Sequence, residues 1–440
     1  MSIEKYTSSI IRPHSRKIIT QAEIIKEKVE NNLFIDEAPK RKLIEWITID
    51  WAWSRDLDDW VWAEKTSFWY TLFVSISDTS EFIKPNSIID NYAFKRPSSI
   101  YLSTHNYHMI PKILSTDILS LNNHKETLTQ TLEVNFDKNY NIINTNNFES
   151  VFYNKNRYDY EEFDSDFYNP ESQYFETLHI LYNISQALKQ KRIKAGANPL
   201  FRECISIKID KKCIEKKDNI WQEIISEIAI LKNSIDAIEA YKNKTPILFR
   251  WFKPQLKNKI TWNINSNRWF FNFKPTYHLW FKNLFYTYNT SPIRRYSDII
   301  NQRQIKSTIR WEKELYNITQ IRNIALKINT NIEKIIYSQK QYNKEVFEKR
   351  SERLLKKLKE DNFENIWSLW ENTFFHLIRY FMYYNNSYFS NDKIINEILY
   401  RLENNLLDKK TIWLLKNSPN NIEGINIFKE IIKIKQKSKK

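Results

Sequence analysis

The sequence predicts an α+β fold in which strands come first and helices follow. Three observations predict it. Polar and apolar residues alternate in short runs between Ile44 and about Phe136, and apolar residues recur at helical spacing from Phe175 onward. Hydrophobic residues make up 42% of the 440, enough for a large core. The first 40 residues are polar and charged and read as an arm, with a helix over residues 24–30. Residues 69–77 read as a strand. So do residues 131–136, where Leu132, Val134 and Phe136 alternate with polar neighbours. Residues 140–168, rich in Asn, Asp and Tyr, read as a loop or insertion. A helical stripe of Phe175, Leu178, Leu181, Tyr182 and Leu188 ends at Gly196, a left-handed cap with Pro199 beyond it. A second helix is expected over residues 218–242, a third from near Tyr296, and a long one over residues 311–359. Residues 346–440 read as a helical extension with a basic end.

Composition excludes several function classes. Only Gly196 and Gly424 are glycines, and Gly-rich phosphate cradles need backbone at positive φ. Triphosphate hydrolysis on a P-loop and dinucleotide redox chemistry are therefore not expected. Cys204 and Cys213 lack CxxC spacing and read as reduced core thiols. No apolar run reaches the ~20 residues that span a bilayer, and no secretory signal opens the chain, so no membrane partner is expected. The net charge is +16, with abundant Tyr, Phe and Trp. Cations neutralise phosphates and aromatic rings stack on unpaired bases, so the expected partner is a polyanion. Excess Lys, Asn and Ile over Gly and Ala points to an A/T-rich genome, hence an organelle (plastid or mitochondrion) or the cytoplasm of an AT-rich bacterium.

Against that basic background, Asp50, Asp56, Asp58 and Asp59 crowd into ten residues among Trp51, Trp53 and Trp60. Adjacent carboxylates raise one another's pKa values. A hard divalent cation such as Mg²⁺ removes that repulsion and leaves positions for phosphate oxygens; an acidic loop in water is the other reading. Far downstream runs Asn289-Thr290-Ser291-Pro292-Ile293-Arg294-Arg295-Tyr296-Ser297-Asp298, then Gln302-Arg303. Pro292 suits a first helical turn with Ser291 as N-cap. That arrangement would hold both arginines at a helix N-terminus, where phosphate binds.

The two motifs, in this order, resemble the catalytic domain of the ribonuclease II/ribonuclease R (RNB) family of exoribonucleases. Further segments resemble it in sequence order: Val74-Ser75-Ile76-Ser77-Asp78, Arg96-Pro97-Ser98-Ser99-Ile100-Tyr101-Leu102, Met109-Ile110-Pro111, Arg192 with Gly196-Ala197, and Ser226 through Asn233. The resemblance implies an RNB-type catalytic domain, a central β-sheet surrounded by helices, over residues 41–345. It would lie between the arm (1–40) and the helical basic extension (346–440). It also implies Mg²⁺-dependent 3′→5′ hydrolysis of single-stranded RNA to nucleoside 5′-monophosphates. Asp50, Asp56, Asp58 and Asp59 then hold the metal. Asp58, Arg294 and Arg295 form the catalytic group, and Tyr101, His278, Ser291 and Arg303 bind RNA. For Tyr101 and His278 a structural role is the other reading.

Several positions depart from the family pattern. Trp60 follows the paired aspartates where a small residue is usual, Ser75 and Gln302 stand at histidine positions, and Tyr277 and Trp280 stand at glycine positions. Trp51, Trp53 and Trp60 are the side chains that decide whether the channel stays open. The alternative function is a catalytically impaired RNA-binding scaffold, with ribosomal or RNA-processing proteins as partners.

Overall fold

The computed structural model describes residues 12–31, 41–49, 54–67, 69–102, 105–197, 205–209, 212–216, 220–253, 268–275, 278, 285–384, 392–404, 406–407, 411 and 415. Residues Ser8–Ile336 form one compact unit and Tyr337–Lys440 belong to a second. In chain order the first unit holds α1 (Arg16–Glu30), β1 (Lys42–Ile49), β2 (Asp59–Thr66), β3 (Trp69–Ser77), α2 (Thr79–Phe82), α3 (Ile88–Lys95), β4 (Ile100–Tyr101) and β5 (Asn106–Tyr107). Then come β6 (Glu126–Phe136), β7 (Ile142–Tyr158), α4 (Tyr160–Tyr168), α5 (Phe175–Lys194), β8 (Ile205–Ile209), β9 (Lys212–Lys216) and α6 (Ile220–Lys242). The β10 (Phe249–Lys253) and β11 (Arg268–Asn272) hairpin precedes α7 (Tyr296–Ile309) and the long α8 (Ile318–Glu360). Among the described residues no helix is long and apolar enough to cross a membrane.

A five-stranded sheet in the order β1-β7-β6-β3-β2 forms the centre. Only β1 and β7 run parallel; the other pairs are antiparallel. The sheet curls strongly, because the indoles of Trp46 on β1 and Trp62 on β2, its two edge strands, stack 4.1 Å apart. Alternation places Val61, Ala63, Leu72, Val74, Leu132 and Val134 on one face, buried against Phe163 of α4, Leu178 and Leu181 of α5, and Trp221 and Ile224 of α6. A second core joins α1, α3, the segment around Met109, the face of α7 with Ile299 and Ile300, and the start of α8. In the second unit, α9 (Glu371–Tyr384) and α10 (Asp392–Glu403) close around Phe374, Leu377, Ile378, Phe381, Ile394 and Ile398.

The strands expected at 69–77 and 131–136 are β3 and the end of β6, and the helix expected over 218–242 is α6. Residues 140–168 are not a loop. They carry β7, a 17-residue strand at the heart of the sheet, and then α4. Asparagine disfavours strands, but here its side-chain amides donate to partners on neighbouring strands and on α6. Asn135 donates to Asn144 at 2.7 Å, Asn147 to Glu239 at 2.6 Å, and Asn154 to Thr48 at 2.9 Å.

Two helices end in the same way on different residues. After α5, Gly196 takes φ +89. Its N–H bonds the carbonyl of Ile193 at 2.8 Å, and the Ala197 N–H bonds Arg192 at 3.1 Å, which is a Schellman cap. After α7 the same pair of bonds runs from Trp311 to Thr308 (3.2 Å) and from Glu312 to Ser307 (2.8 Å). There the left-handed position, φ +56, belongs to a tryptophan that is 96% exposed. The long helix expected from Trp311 therefore starts later, at Ile318. Because Trp311 packs against almost nothing, Trp311→Gly should stabilise the fold by about 1 kcal/mol through release of left-handed strain. Urea denaturation of the two proteins measures it; an unchanged or lower midpoint refutes the strain.

Candidate active site

The acidic motif is pinned from below before it reaches the site. Ser120 Oγ donates to the Arg55 carbonyl and accepts from the Leu57 N–H, both at 3.0 Å, and Arg157 donates to the Ser54 carbonyl at 2.7 Å. The Asp58 carbonyl accepts from the Ser77 N–H at 2.9 Å, tying the motif to the end of β3. Asp58 is thus held at the mouth of the sheet with its side chain buried.

The arginine motif meets it there. Asp58 Oδ1 accepts from the Ile293 N–H at 2.8 Å and Oδ2 from Arg294 Nε at 3.0 Å. Residues 235 positions apart in the chain therefore share one carboxylate. The arginines do not sit in a helical first turn, as the Pro292 pattern suggests. Helix α7 begins at Tyr296, with Arg295 in extended backbone as its N-cap residue. Residues 291–295 form a separate tight turn, in which the N–H groups of Arg294 and Arg295 bond the Ser291 carbonyl at 3.3 and 2.9 Å. Asp298 locks this turn by accepting from the Ser291 N–H at 2.9 Å and from Arg295 at 2.6 Å.

Tyr101 reaches the same place because its segment zips onto the turn. Ser99 N–H bonds the Arg294 carbonyl and Tyr296 N–H bonds the Pro97 carbonyl, both at 3.0 Å. Two residues on, Tyr101 donates its hydroxyl to Asp56 Oδ2 at 2.5 Å while the residue stays 46% exposed. An exposed ring beside half-buried Asp56 and buried Asp58 offers a stacking face.

The electrostatics is that of a site short of positive charge. Burial pushes the Asp58 carboxyl up to about 8; Arg294 and the Ile293 N–H oppose this, and the Asp59 and Asp56 charges add to it. Burial also works against the Arg294 charge, but Asp58, Tyr101 and Asp59 outweigh it and hold the guanidinium above its ordinary value. Burial and then Asp56 raise the Tyr101 hydroxyl, so it remains a donor. Hard carboxylate oxygens suit a divalent cation, and Asp56, Asp58 and Asp59 are the described members of the set expected to hold one. Their oxygens do not converge as a ready-made group of three, which among the described residues only Asp78, Glu81 and Glu149 do. Asp50, with Trp51 and Trp53, lies outside the described residues, as do Tyr277 and Trp280.

The remaining expected site residues separate into those that shape the turn and those that do not reach it. Ser291 is part of the turn, and its Oγ accepts from Arg294 at 2.8 Å. Arg295 pairs with Asp298 and lies 4.1 Å over the Tyr288 ring, so it braces the turn. Arg303, expected to bind RNA, is instead buried on α7. It donates to Asp90 and Tyr316 at 2.8 Å and to the Ile83 carbonyl at 2.6 Å. His278, the other expected RNA contact, is fully buried against Tyr286, and burial followed by Arg250 lowers its pKa to about 4. Both environments are made by residues distant in sequence, Asp90 for Arg303 and Arg250 for His278, so the local sequence does not show them. Trp60 is buried in the sheet with Leu57, Trp62, Leu121 and Phe152.

Sequence reasoning missed a second carboxylate group. Asp78, Glu81 and Glu149 bring carboxylate oxygens within 4.8 Å of one another, close enough to hold a metal ion. Protein cations already occupy them. Arg41 meets Asp78 at 3.0 Å and Glu149 at 2.7 Å, Lys306 meets Asp78 at 2.8 Å and Glu81 at 2.7 Å, and Arg310 meets Glu149 at 2.7 Å. Three carboxylates facing three cations leave no charge for a metal to neutralise, so this group is a structural clamp. Asp78, at the end of a predicted strand, was its one visible sign.

The RNB domain family model matches residues 41–270. The chain is similar to the ribonuclease R of Mycoplasmopsis pulmonis, 27% identical over 363 residues, covering 69% of this chain and 50% of that one. It thus spans about half the length of this curated relative. Mycoplasma genitalium RNase R in complex with ribose-methylated single-stranded RNA shares the fold, with a TM-score of 0.64 at 20% identity over 78% of this chain and 63% of that one. Yeast Ssd1, a pseudonuclease, shares it at TM-score 0.55 and 18% identity, over 70% and 45%.

Proposed function

Because the chain belongs to the RNB family, whose domain model covers more than half of it, we propose that it is a Mg²⁺-dependent 3′→5′ exoribonuclease. It hydrolyses single-stranded RNA to nucleoside 5′-monophosphates. The observation that carries this reading is the Asp58 carboxylate held jointly by the Ile293 N–H and Arg294 Nε, with Asp56 and Tyr101 alongside. A divalent cation bound by the aspartates would supply an activated water and charge neutralisation for phosphodiester cleavage. The chain's own part is positioning. Tyr101 offers its exposed ring to the 3′-terminal base. Arg294, anchored through Nε and through one terminal nitrogen on Ser291, presents its guanidinium where charge develops on the scissile phosphate. The Asp298 lock keeps that guanidinium in place before substrate arrives.

The test is incubation of 5′-labelled single-stranded RNA with the protein and Mg²⁺. A ladder running down to a short end product, with mononucleotides released and EDTA stopping the reaction, is the expected result. Arg294→Ala should lower kcat by about 10²–10³-fold with a smaller change in KM, since the lost interaction is made in the transition state. Equal loss in KM alone would make Arg294 a binding residue only. Likeness to the pseudonuclease Ssd1 favours the second reading, a non-catalytic RNA-binding scaffold. Tight RNA binding with no mononucleotide release would establish it.

A further inference from the structure

The amino-terminal half of β7 reaches beyond the end of β1, whose pairing starts at Ser150. Beside residues 145–147 lie the end of α6, whose Glu239 bonds Thr145 and Asn147, and the end of α7. A cavity of about 310 Å³ lies there, with Asn146, Asp236, Glu239, Asn243, Thr308 and Trp311 among its lining residues. No lysine or arginine lines it, although the chain carries a charge of +16.

Its polar groups ask for a cation. Glu239 accepts from Thr145 and Asn147, both at 2.6 Å, and among the described residues no cation pairs with it. Two neutral donors leave its negative charge uncompensated. Asp236 turns one oxygen, Oδ2, to Lys232 at 2.5 Å and Asn289 at 2.7 Å. Its other oxygen, Oδ1, is buried with no hydrogen-bond partner, on a residue only 1% exposed. At the rim stands Trp311, held out in water by the left-handed cap of α7. An indole face beside carboxylates is the arrangement that binds guanidinium and alkylammonium groups. A phosphate-bearing ligand would meet the Glu239 charge unfavourably.

We propose that this cavity binds an aliphatic cation, a guanidinium or ammonium on an alkyl chain, stacked on Trp311 and paired with Glu239. The site is separate from the proposed hydrolytic centre and does not depend on it. Free polyamines and basic side chains of a partner protein share this chemistry.

Calorimetric titration of the full chain with agmatine, with spermidine and with a short arginine-containing peptide tests it. Agmatine is expected to bind, and Trp311→Gly and Glu239→Gln each to weaken it by about tenfold. Tighter binding of the peptide than of spermidine identifies a protein source, and the reverse identifies a free polyamine. Trp311→Gly removes no buried contact, so its folding is not at risk. Absence of agmatine binding at millimolar concentration overturns the proposal. So does affinity unchanged in Trp311→Gly, or a preference for a nucleoside monophosphate over agmatine, which would make Trp311 a base-stacking platform.

Discussion

Asp58→Asn is expected to lower mononucleotide release by about 10²–10³-fold while the protein stays folded and still binds RNA. The substitution keeps the shape of the side chain. One oxygen can still accept from the Ile293 N–H, so the turn carrying Arg294 stays in register. What disappears is the negative charge that fixes Arg294 Nε and that any bound cation would need. The Arg294 side chain is 45% exposed and stays hydrated when its partner becomes a neutral amide, so little stability is given up. Single-turnover hydrolysis, RNA-binding titration and a thermal melt on the same preparation separate these effects. Undiminished hydrolysis would remove Asp58 from the chemistry. A large fall in melting temperature would recast it as a structural residue.

The largest effect on stability is expected at a distance, from Arg41→Met. Its side chain is 2% exposed between Asp78, 0% exposed, and Glu149, 6% exposed. Removing one partner from a buried ion pair strands the other charge, typically at 3–5 kcal/mol, and here two carboxylates lose a cation together. Urea unfolding at neutral pH should show that loss; a change below about 1 kcal/mol would mean that Lys306 and Arg310 suffice alone. The same clamp predicts acid sensitivity. Burial raises the Glu81 carboxyl, but Lys306 outweighs it and brings the pKa down to about 2. For Asp78, burial is outweighed by Lys306 and Arg41, and its pKa also falls below the ordinary range. With folded values below unfolded ones, the stabilisation is complete above the ordinary carboxylate range. It is lost as pH falls from there through the folded values, between about pH 4.5 and 2. The unfolding midpoint in urea should drop across that window in the native protein and less in Glu81→Gln.

How much of this was legible in the sequence follows from what each residue's neighbours contribute. Strands such as β3 and helices such as α6 carry their own periodicity, and so they could be read directly. The acidic and arginine motifs could be read as partners because the two, in that order, resemble the RNB family; from the residues alone an acidic loop in water stood as the other reading. Strand β7 could not, since its asparagines find hydrogen-bond partners in Thr48, Asn135 and Glu239 on other elements. Arg303 looked like a free cation because Asp90, its partner, lies 213 residues away. The turn at 291–295 imitates a helix start in composition. Only the bond from the Ser291 N–H to Asp298, together with the zipper to Ser99, shows that it is a separate device.

Helix α7 and the turn before it have a consequence in time. Asp58, Asp78, Glu81, Asp90 and Glu149 are made early, and Arg294, Arg303, Lys306 and Arg310, which neutralise them, are made late. At a synthesis rate of 5–20 residues per second, roughly 10–40 s separate Asp90 from Arg303 on the ribosome. Through that interval Arg41 is the one clamp cation already made for Asp78 and Glu149, while Asp58 and Asp90 await Arg294 and Arg303. Closure of the first unit therefore cannot precede synthesis of that helix and the turn before it.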